Sequence, residues 1–244
     1  MEFWGITDSG KVRKCNQDVF KTHIDEESNT AIFVVCDGMG GANAGNIASM
    51  MAAETFIDYM SKQVHNFTNQ SDVAKKMTDA VLTANAMVFD KSSQDVEFSG
   101  MGTTLTAAVS TEFGEVVANV GDSRLYHIAG SNVVQITRDH SVVEDMVERG
   151  EISRSEAHVH PKKNLITRAI GTSAQEPPDI FLLNLKPGEF ILLCSDGFSN
   201  LASEEDIHIE LSRSKSVKDA CEVFVNLALK RGAPDNVTVV IFKK

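Results

Sequence analysis

The chain has 244 residues, of which 42% are hydrophobic, and its 34 acidic and 23 basic side chains give a net charge of −11. This length and composition allow a sizeable buried core, and we predict a single domain over residues 1–244. The acidic balance disfavours binding to nucleic acid or to anionic membranes. The longest apolar runs are far shorter than the ~20 residues of a membrane helix, and the first residues lack the apolar core of a signal peptide. We therefore expect a cytoplasmic protein that binds neither nucleic acid nor membrane.

Short apolar runs and two amphipathic stretches mark the first half of the chain. Strands are predicted near residues 3–7 and 19–24, followed by the apolar run of residues 31–36, which Asp37-Gly38 is expected to end. Apolar residues then recur at helical spacing over residues 48–59 and again over 73–88, so two long helices should follow. Strands resume near residues 103–109, 115–120, 125–128 and 133–136.

The second half opens with a segment, at about residues 138–172, that breaks the strand pattern. Two Ser-x-x-Glu sequences, at residues 141–144 and 153–156, have the form of capping boxes and predict two short helices, the first ending near Gly150. Further strands near residues 180–185, 190–194 and 237–242 enclose helices that begin near Ser203 and cover residues 217–228. Runs of strands separated by helix pairs favour an α+β fold with mostly antiparallel sheets. The sequence has no P-loop or dinucleotide-binding motif, and its four cysteines form no C-x-x-C pair.

Five aspartates share one setting, since each lies at the end of a predicted strand: Asp18, Asp37, Asp122, Asp196 and Asp235. Carboxylate oxygens are the ligands that Mg²⁺ and Mn²⁺ prefer, and two such ions about 4 Å apart bind a bridging water and lower its pKa. The pattern indicates a metal-dependent hydrolase. Aspartate beside glycine after a strand is also ordinary turn chemistry, and spacing alone does not bring the five side chains together.

Eight short motifs occur in the order typical of one family. They are RKCNQD at residues 13–18, VCDGMGG at 35–41, GMGTT at 100–104, GDSRLY at 121–126, RDHS at 138–141, HPKKNLITRAIG at 160–171, CSDGF at 194–198 and PDNVT at 234–238. With them the chain resembles, over about residues 5–242, the metal-dependent serine/threonine protein phosphatases of the PPM or type 2C family, in their compact bacterial form. The resemblance implies a four-layer α-β-β-α sandwich, two antiparallel sheets flanked by helix pairs, with residues 138–172 as a small flap beside the active site.

The resemblance also assigns duties to the aspartates. It implies that Asp37 bridges two Mg²⁺ or Mn²⁺ ions and that the Gly38 carbonyl binds one of them. Asp18, Asp196 and Asp235 would complete the shell, partly through waters. The predicted catalytic residues are therefore the metal-holding carboxylates Asp37 and Asp18.

Two further residues have implied roles. Asp122 together with Asp196 would hold a third, weaker ion, and Arg13 would bind the substrate phosphate, which suits the planar guanidinium. The resemblance then implies hydrolysis of phosphoserine and phosphothreonine in proteins by in-line attack of a metal-bridging hydroxide. A cognate Ser/Thr kinase is the expected partner and a monomer the expected state.

One position departs from the pattern of animal members of the family. These members commonly carry a histidine, thought to protonate the leaving group, where this chain has Met39. The identity of the general acid is therefore not carried over. A metal-bound water or a flap histidine (His140, His158 or His160) could replace it.

Alternative nucleophiles and functions were weighed. Thr103 and Thr104 have no base near them in sequence, and Cys36 lacks the arginine six residues on that a cysteine phosphatase needs, because residue 42 is alanine. A relative that acts on one dedicated phosphoserine partner, such as an anti-sigma-factor antagonist, is disfavoured by the intact Arg13. A catalytically dead, partner-binding relative is disfavoured because no predicted metal aspartate is missing.

Overall fold

Two antiparallel sheets face each other in the structure, a computed structural model that describes residues 1–40, 44–94 and 96–244. The strands are β1 (Glu2–Asp8), β2 (Asp18–Asp25), β3 (Thr30–Met39), β4 (Gly102–Thr103), β5 (Leu105–Thr111), β6 (Gly114–Val120), β7 (Arg124–Ala129), β8 (Asn132–Gln135), β9 (Asp179–Leu183), β10 (Phe190–Cys194) and β11 (Val237–Lys243). The helices are α1 (Ala44–Ser61), α2 (Gln70–Gln94), α3 (Val142–Glu148), α4 (Arg154–Val159), α5 (Asp196–Ser199), α6 (Glu204–Arg213) and α7 (Val217–Lys230).

The order of the strands brings distant parts of the chain side by side. One sheet has the order β1-β11-β10-β7-β8, and the other has the order β2-β3-β5-β6-β9, with β4 paired to β3. In the register of β2 with β3, Asp18 lies directly opposite Asp37. Strand pairing alone therefore places two of the predicted metal ligands next to each other.

The central strand β3 is buried on both faces, which explains its continuous apolar run. Ile32 and Val34 pack under α1 and α2, whereas Phe33 and Val35 point between the sheets. Phe224 and its neighbours on α7 cover the outer face of the other sheet, together with α6. The predicted four-layer α-β-β-α sandwich is confirmed.

The predicted helices form with the predicted buried faces, and most of the predicted caps are present. Every apolar position predicted for the core face of α2 is buried: Val73, Met77, Ala80, Val81, Ala84 and Val88. Ser153 and Ser203 each complete a capping box, with the third residue of α4 and of α6 respectively. No helix within the described ranges is long and apolar enough to cross a membrane.

The end of β3 differs from the prediction. The strand does not stop at Asp37 but continues to Met39, because Gly38 and Met39 pair with the two residues of β4. The strand predicted over residues 103–109 is accordingly divided, with β4 bonded to β3 and β5 beginning at Leu105. This extension holds Asp37 inside the sheet rather than in a free turn. Gly41 and Ala42, which the sequence analysis also considered, lie outside the described residues.

Two smaller predictions also need correction. Asp196 is the first residue of α5, a one-turn helix that the apolar pattern of the preceding strand does not reveal. The first capping box is only half formed. Ser141 accepts a hydrogen bond from the Glu144 amide, but the Glu144 carboxylate accepts both guanidinium bonds of Arg154, each at 3.0 Å. Glu144 thus links the two flap helices instead of capping its own.

Candidate active site

A cleft of about 250 Å³ opens beside the flap, at the ends of strands from both sheets. Its walls include six residues predicted to form the site, namely Arg13, Asp37, Gly38, Asp122, Asp196 and Asp235. Asn164 and Ile166 of the flap line the same cleft. Of the predicted site residues only Asp18 lies outside this lining.

The Asp37 backbone is fixed by two threonines. Its amide donates to Thr104 Oγ1, and its carbonyl accepts from the Thr104 amide and the Thr103 hydroxyl, all at 2.9 Å. Desolvation by the surrounding protein, and then the charges of Asp18 and Asp196, raise the pKa of the Asp37 carboxyl well above its usual value. Without a cation, this carboxylate is therefore costly to ionise.

Asp18 is buried behind Asp37. Its Oδ2 accepts hydrogen bonds from the Ser195 and Thr238 hydroxyls, both at 2.7 Å. Its Oδ1 is buried and has no hydrogen-bond partner in the described part of the chain. Burial raises the pKa of Asp18 to about 6, although the two hydroxyl bonds act in the opposite direction. One carboxylate oxygen is thus anchored, and the other is left for a ligand.

Asp122 and Asp196 approach the cleft from a turn and from a helix start. Desolvation raises the pKa of both carboxyls, and with the added charge of Asp196 the pKa of Asp122 reaches about 8. Asp196 Oδ2 accepts from Asn200 Nδ2 at 3.1 Å, whereas its Oδ1 is a second buried oxygen without a partner among the described residues. Glycine is needed at position 197, in the first turn of α5, since a Cβ at this position would lie 1.9 Å from the Asn236 carbonyl oxygen.

The turn that carries Asp122 is tied to the flap by His140. The Gly121 amide donates to His140 Nδ1 at 3.0 Å, and the His140 amide donates to the Gly121 carbonyl at 3.0 Å. Because Nδ1 accepts, the proton of the neutral ring is on Nε2, which lies 3.1 Å from Asp179 Oδ2. Burial lowers the pKa of His140. This histidine therefore supports the turn and is poorly suited to donate a proton to a substrate.

Arg13 lies on an exposed loop beside Asp235. Its Nη2 donates to Asp235 Oδ2 at 2.7 Å, and this bond raises the pKa of the guanidinium. Asn236 fixes the same loop, since it accepts from the Gln17 amide and donates to two carbonyls on either side of Arg13. The side chain of Arg13 is 54% exposed, so donors remain for a ligand in the cleft.

The donors around the cleft fit a hard divalent cation. Asp18 Oδ1 and Asp196 Oδ1 are buried carboxyl oxygens without a hydrogen-bond partner among the described residues, an arrangement that is costly unless a cation compensates it. Within the described ranges, no three Asp, Glu, His or Cys side chains stand together as a complete ligand set. A backbone oxygen such as the Gly38 carbonyl, and waters, would have to complete any shell, as is usual for Mg²⁺.

The histidines of the flap do not line the cleft beside Met39 in the described part of the chain. Met39 lines the cleft, and no histidine is among the described residues that line it. His158 lines an adjoining pocket together with Asp122 and Asp196. His160 Nδ1 accepts a hydrogen bond from the amide two residues further on.

Several supporting residues escaped the sequence analysis. Ser195 and Thr238 hold Asp18, and Asn236 holds the Arg13 loop, although all three lie within quoted motifs. Thr104, taken only as a strand residue, binds the Asp37 backbone. For Ser195 and Asn236 the signal was a small polar residue directly beside a predicted metal aspartate; Thr104 and Thr238 offered no such signal.

Known proteins resemble the chain over nearly its whole length. A sequence profile of the family described as Protein phosphatase 2C matches residues 10–233. The Serine/threonine phosphatase stp of Listeria welshimeri is 33% identical over 241 residues, which cover 98% of this chain and 94% of the relative. The solved serine/threonine phosphatase of S. agalactiae has a TM-score of 0.91 at 32% identity, covering 100% of this chain and 99% of that one. The catalytic domain of the phosphatase PstP, solved in complex with 2 manganese ions, has a TM-score of 0.83 at 31% identity, covering 98% and 96%.

Three observations now agree: the ordered motifs, the two-sheet sandwich and the match to these phosphatases over more than nine-tenths of the chain. The geometry adds a carboxylate-rich cleft whose donors fit divalent metal ions. The chain belongs to the protein phosphatase 2C family, the metal-dependent serine/threonine phosphatases.

Proposed function

We propose that the chain hydrolyses phosphoserine and phosphothreonine in protein substrates at the cleft around Asp37, and that it reverses the action of a cognate Ser/Thr kinase. The observation that carries the proposal is the gathering of four aspartates from distant parts of the chain beside Arg13. Carboxyls with raised pKa values call for cations, and a neighbouring guanidinium suits a phosphate. The bacterial relatives named above support the same substrate class.

Divalent ions have defined places in this proposal. Two Mg²⁺ or Mn²⁺ ions, when bound, would supply an activated water for in-line attack on phosphorus and positive charge for the phosphate oxygens. Asp37 would lie between them, with the Gly38 carbonyl on one side. Asp18, Asp196 and Asp235 would complete the shell, Asp18 from behind the cleft. The manganese-bound PstP structure supports Mn²⁺ as an occupant.

The other groups of the cleft position the substrate. Arg13 has guanidinium donors beyond the one given to Asp235, and a planar fork binds two phosphate oxygens at once. Thr103 and Thr104 hold the Asp37 backbone, so the direction of its carboxylate is set before substrate arrives. Asp122, with Asp196, would hold a third, weaker ion.

We further infer that residues 1–244 act as one phosphatase domain and as a monomer, with a flap over about residues 138–172. The core between the sheets supports the single domain, because the Phe33 ring of β3 lies 5.2 Å from the Phe242 ring of β11. Strands from the first and last parts of the chain thus contribute to a common core. Analytical ultracentrifugation of the purified protein would test the monomer, and a stable dimer would contradict it.

Metal removal tests the function directly. Purified protein, stripped with EDTA, should hydrolyse neither p-nitrophenyl phosphate nor a phosphothreonine peptide, and added Mn²⁺ or Mg²⁺ should restore both activities. Activity that survives the chelator would contradict the metal-dependent mechanism. Hydrolysis of a phosphorylated anti-sigma-factor antagonist alone, without any on the phosphothreonine peptide, would contradict the broad substrate class.

A further inference from the structure

A groove leads away from the catalytic cleft along the flap. A pocket beside the cleft shares Asp122 and Asp196 with it, and this pocket shares Arg154, His158 and Ser199 with an outer cavity of about 900 Å³. We call the pocket and the outer cavity together the flap groove. Its flap wall is formed by α4 and residue 163, and its other wall by β7, β8 and the residues around the start of α6.

The end of the flap groove next to the cleft carries a lysine without an ion pair among the described residues. Lys163 and His158 line it, both are exposed, and neither side chain has a hydrogen-bond or ion-pair partner in the described part of the chain. Arg154 adds a second cation, although its guanidinium is shared with Glu144.

The remaining charges at this end are largely compensated. Arg124 is bonded to Asp139 through its Nε and Nη2 nitrogens, so this pair is neutral as a unit. Asp122 and Asp196 are the carboxylates that would hold ions in the proposed metal site. Apart from these two carboxylates, the charge without an ion pair at this end, among the described residues, is that of Lys163.

The far end of the flap groove has the opposite sign. Glu204 and Glu205, in the first turn of α6, line it and are exposed, and neither has a side-chain partner among the described residues. Arg138, which also lines the outer cavity, is bound to Asp145 and Glu148. The unpaired charge thus changes from positive at Lys163, beside the cleft, to negative at α6.

A hydroxyl in the wall lacks a partner as well. Ser199 lines both parts of the flap groove and is 6% exposed, and its Oγ is buried without a hydrogen bond within the described ranges. Unsatisfied buried hydroxyls are uncommon and costly. A rotation of this side chain would offer the hydroxyl to a polar backbone group in the groove.

We propose that the flap groove binds the polypeptide on one side of the phosphorylated residue, with an acidic side chain beside Lys163 and a basic side chain at Glu204 and Glu205. This inference rests on the proposed phosphatase function. The outer cavity is of the size, about 300–1,000 Å³, at which proteins bind ligands of several residues or rings. Charge complementarity of this kind discriminates between partners rather than adding much affinity.

The test compares phosphothreonine peptides of identical composition. In one set an aspartate adjoins the phosphothreonine and a lysine lies several residues further on; in the other set the two are exchanged. Both sets are made on the amino-terminal and on the carboxyl-terminal side. On one of the two sides of the phosphothreonine, kcat/KM should be about fivefold higher for the first peptide set than for the second, as expected for one or two exposed ion pairs. This ratio should shrink in high salt.

Charge reversal locates the effect. Glu204→Lys combined with Glu205→Lys should lower or invert the ratio between the two peptide sets. The matched control is Glu26→Lys with Glu27→Lys, two adjacent exposed glutamates in the turn at the far end of β3 from Asp37, which should keep the wild-type ratio. Circular dichroism checks that each variant folds, and if the groove variant does not, the wild-type peptide series decides alone.

The outcomes separate this inference from the proposed function. Equal kcat/KM values for the two peptide sets at low salt, with p-nitrophenyl phosphate still hydrolysed, would overturn the groove assignment and leave the phosphatase proposal intact. An equal loss of the ratio in the control variant would also overturn it. Absence of hydrolysis of every substrate in the presence of Mn²⁺ would overturn both.

Discussion

The two walls of the flap groove are built in different ways. On the body side, Arg124 of β7 forms an ion pair with Asp139 at the start of the flap, and this pair lies largely inside the protein, with side chains 18% and 12% exposed. On the flap side, the Arg154–Glu144 pair holds the two flap helices together, and Arg154 is 73% exposed. The flap helix α4 has no buried residue at all, and α3 has only Val143.

This difference indicates that the two walls have different roles. The carboxylates of the cleft are placed by strands whose side chains fill three hydrophobic clusters, so their positions follow from the core. The flap helices α3 and α4 contribute mainly exposed side chains. Residues on the body wall should therefore govern stability and chemistry, and residues on the flap should govern the choice of substrate.

The largest expected effect separates the two ion pairs. Arg124→Ala should lower the free energy of unfolding by about 3 kcal/mol, because it leaves Asp139 buried without its partner. The matched change Arg154→Ala should cost less, about 1 kcal/mol, because the Arg154 side chain is 73% exposed and its guanidinium is already well solvated, although Glu144 is 15% exposed. Urea unfolding of both variants measures this. Equal losses would break the distinction between the walls.

Arg13 should matter next, through the chemistry rather than the fold. Arg13→Ala should reduce kcat/KM for p-nitrophenyl phosphate by about 30-fold, since bidentate binding of the phosphate is lost. Arg13→Lys should recover only part of it, because an ammonium lacks the planar fork. Steady-state kinetics with saturating Mn²⁺ provide the measurement. Full activity in the alanine variant would place phosphate binding elsewhere.

A substitution of Asp122 tests whether the protein has a separate third metal site. Asp122→Asn should lower kcat by about tenfold, the scale at which changes to a metal's surroundings usually act, while two ions per chain remain bound. Isothermal titration with Mn²⁺ counts the ions, and kinetics give the turnover. Loss of all metal binding would reject a separate third site.

The smallest effect concerns metal-free protein. The pKa of Asp122 is raised to about 8 in the fold but is about 3.9 in an unfolded chain, so the folded state holds more protons between these values. Stability must then fall as pH rises from about 4 to about 8. In EDTA, the decrease in Tm over this pH range should be a few °C smaller for Asp122→Asn than for wild type. A change of about 1 kcal/mol in stability shifts Tm by this amount in a protein of this size. Melting curves that run parallel for variant and wild type would contradict the raised pKa.

Most of the architecture could be predicted from the sequence because each element is indicated by a short local pattern. The apolar run of β3, the helical spacing in α2 and the Ser-x-x-Glu start of α4 each fix an element from within a short window. The ordered motifs then joined these elements into one family pattern. Where β3 ended was not readable, since its last residues are strand only by pairing with β4, more than sixty residues away.

The residues that form the site could be predicted from the sequence, but how deeply each of them is buried could not. Asp18 and Asp37 have similar settings in sequence, yet the packing of Ser195 and Thr238 from the other sheet buries Asp18 behind the cleft. The polarity of the flap groove was equally hidden. It depends on Lys163 and Glu204 lining one surface, and only the packing of the flap against β7, β8 and α6 creates that surface.

The central claim is that buried carboxylates hold the divalent ions that make this protein a phosphatase, and Asp37→Asn tests it most directly. The variant should fold, because the change removes a like charge from a crowded site. Mn²⁺ should no longer raise its Tm as it does for wild type, and kcat/KM for p-nitrophenyl phosphate should fall by about 10³-fold. A variant that keeps both the Mn²⁺-induced rise in Tm and the activity would contradict the account.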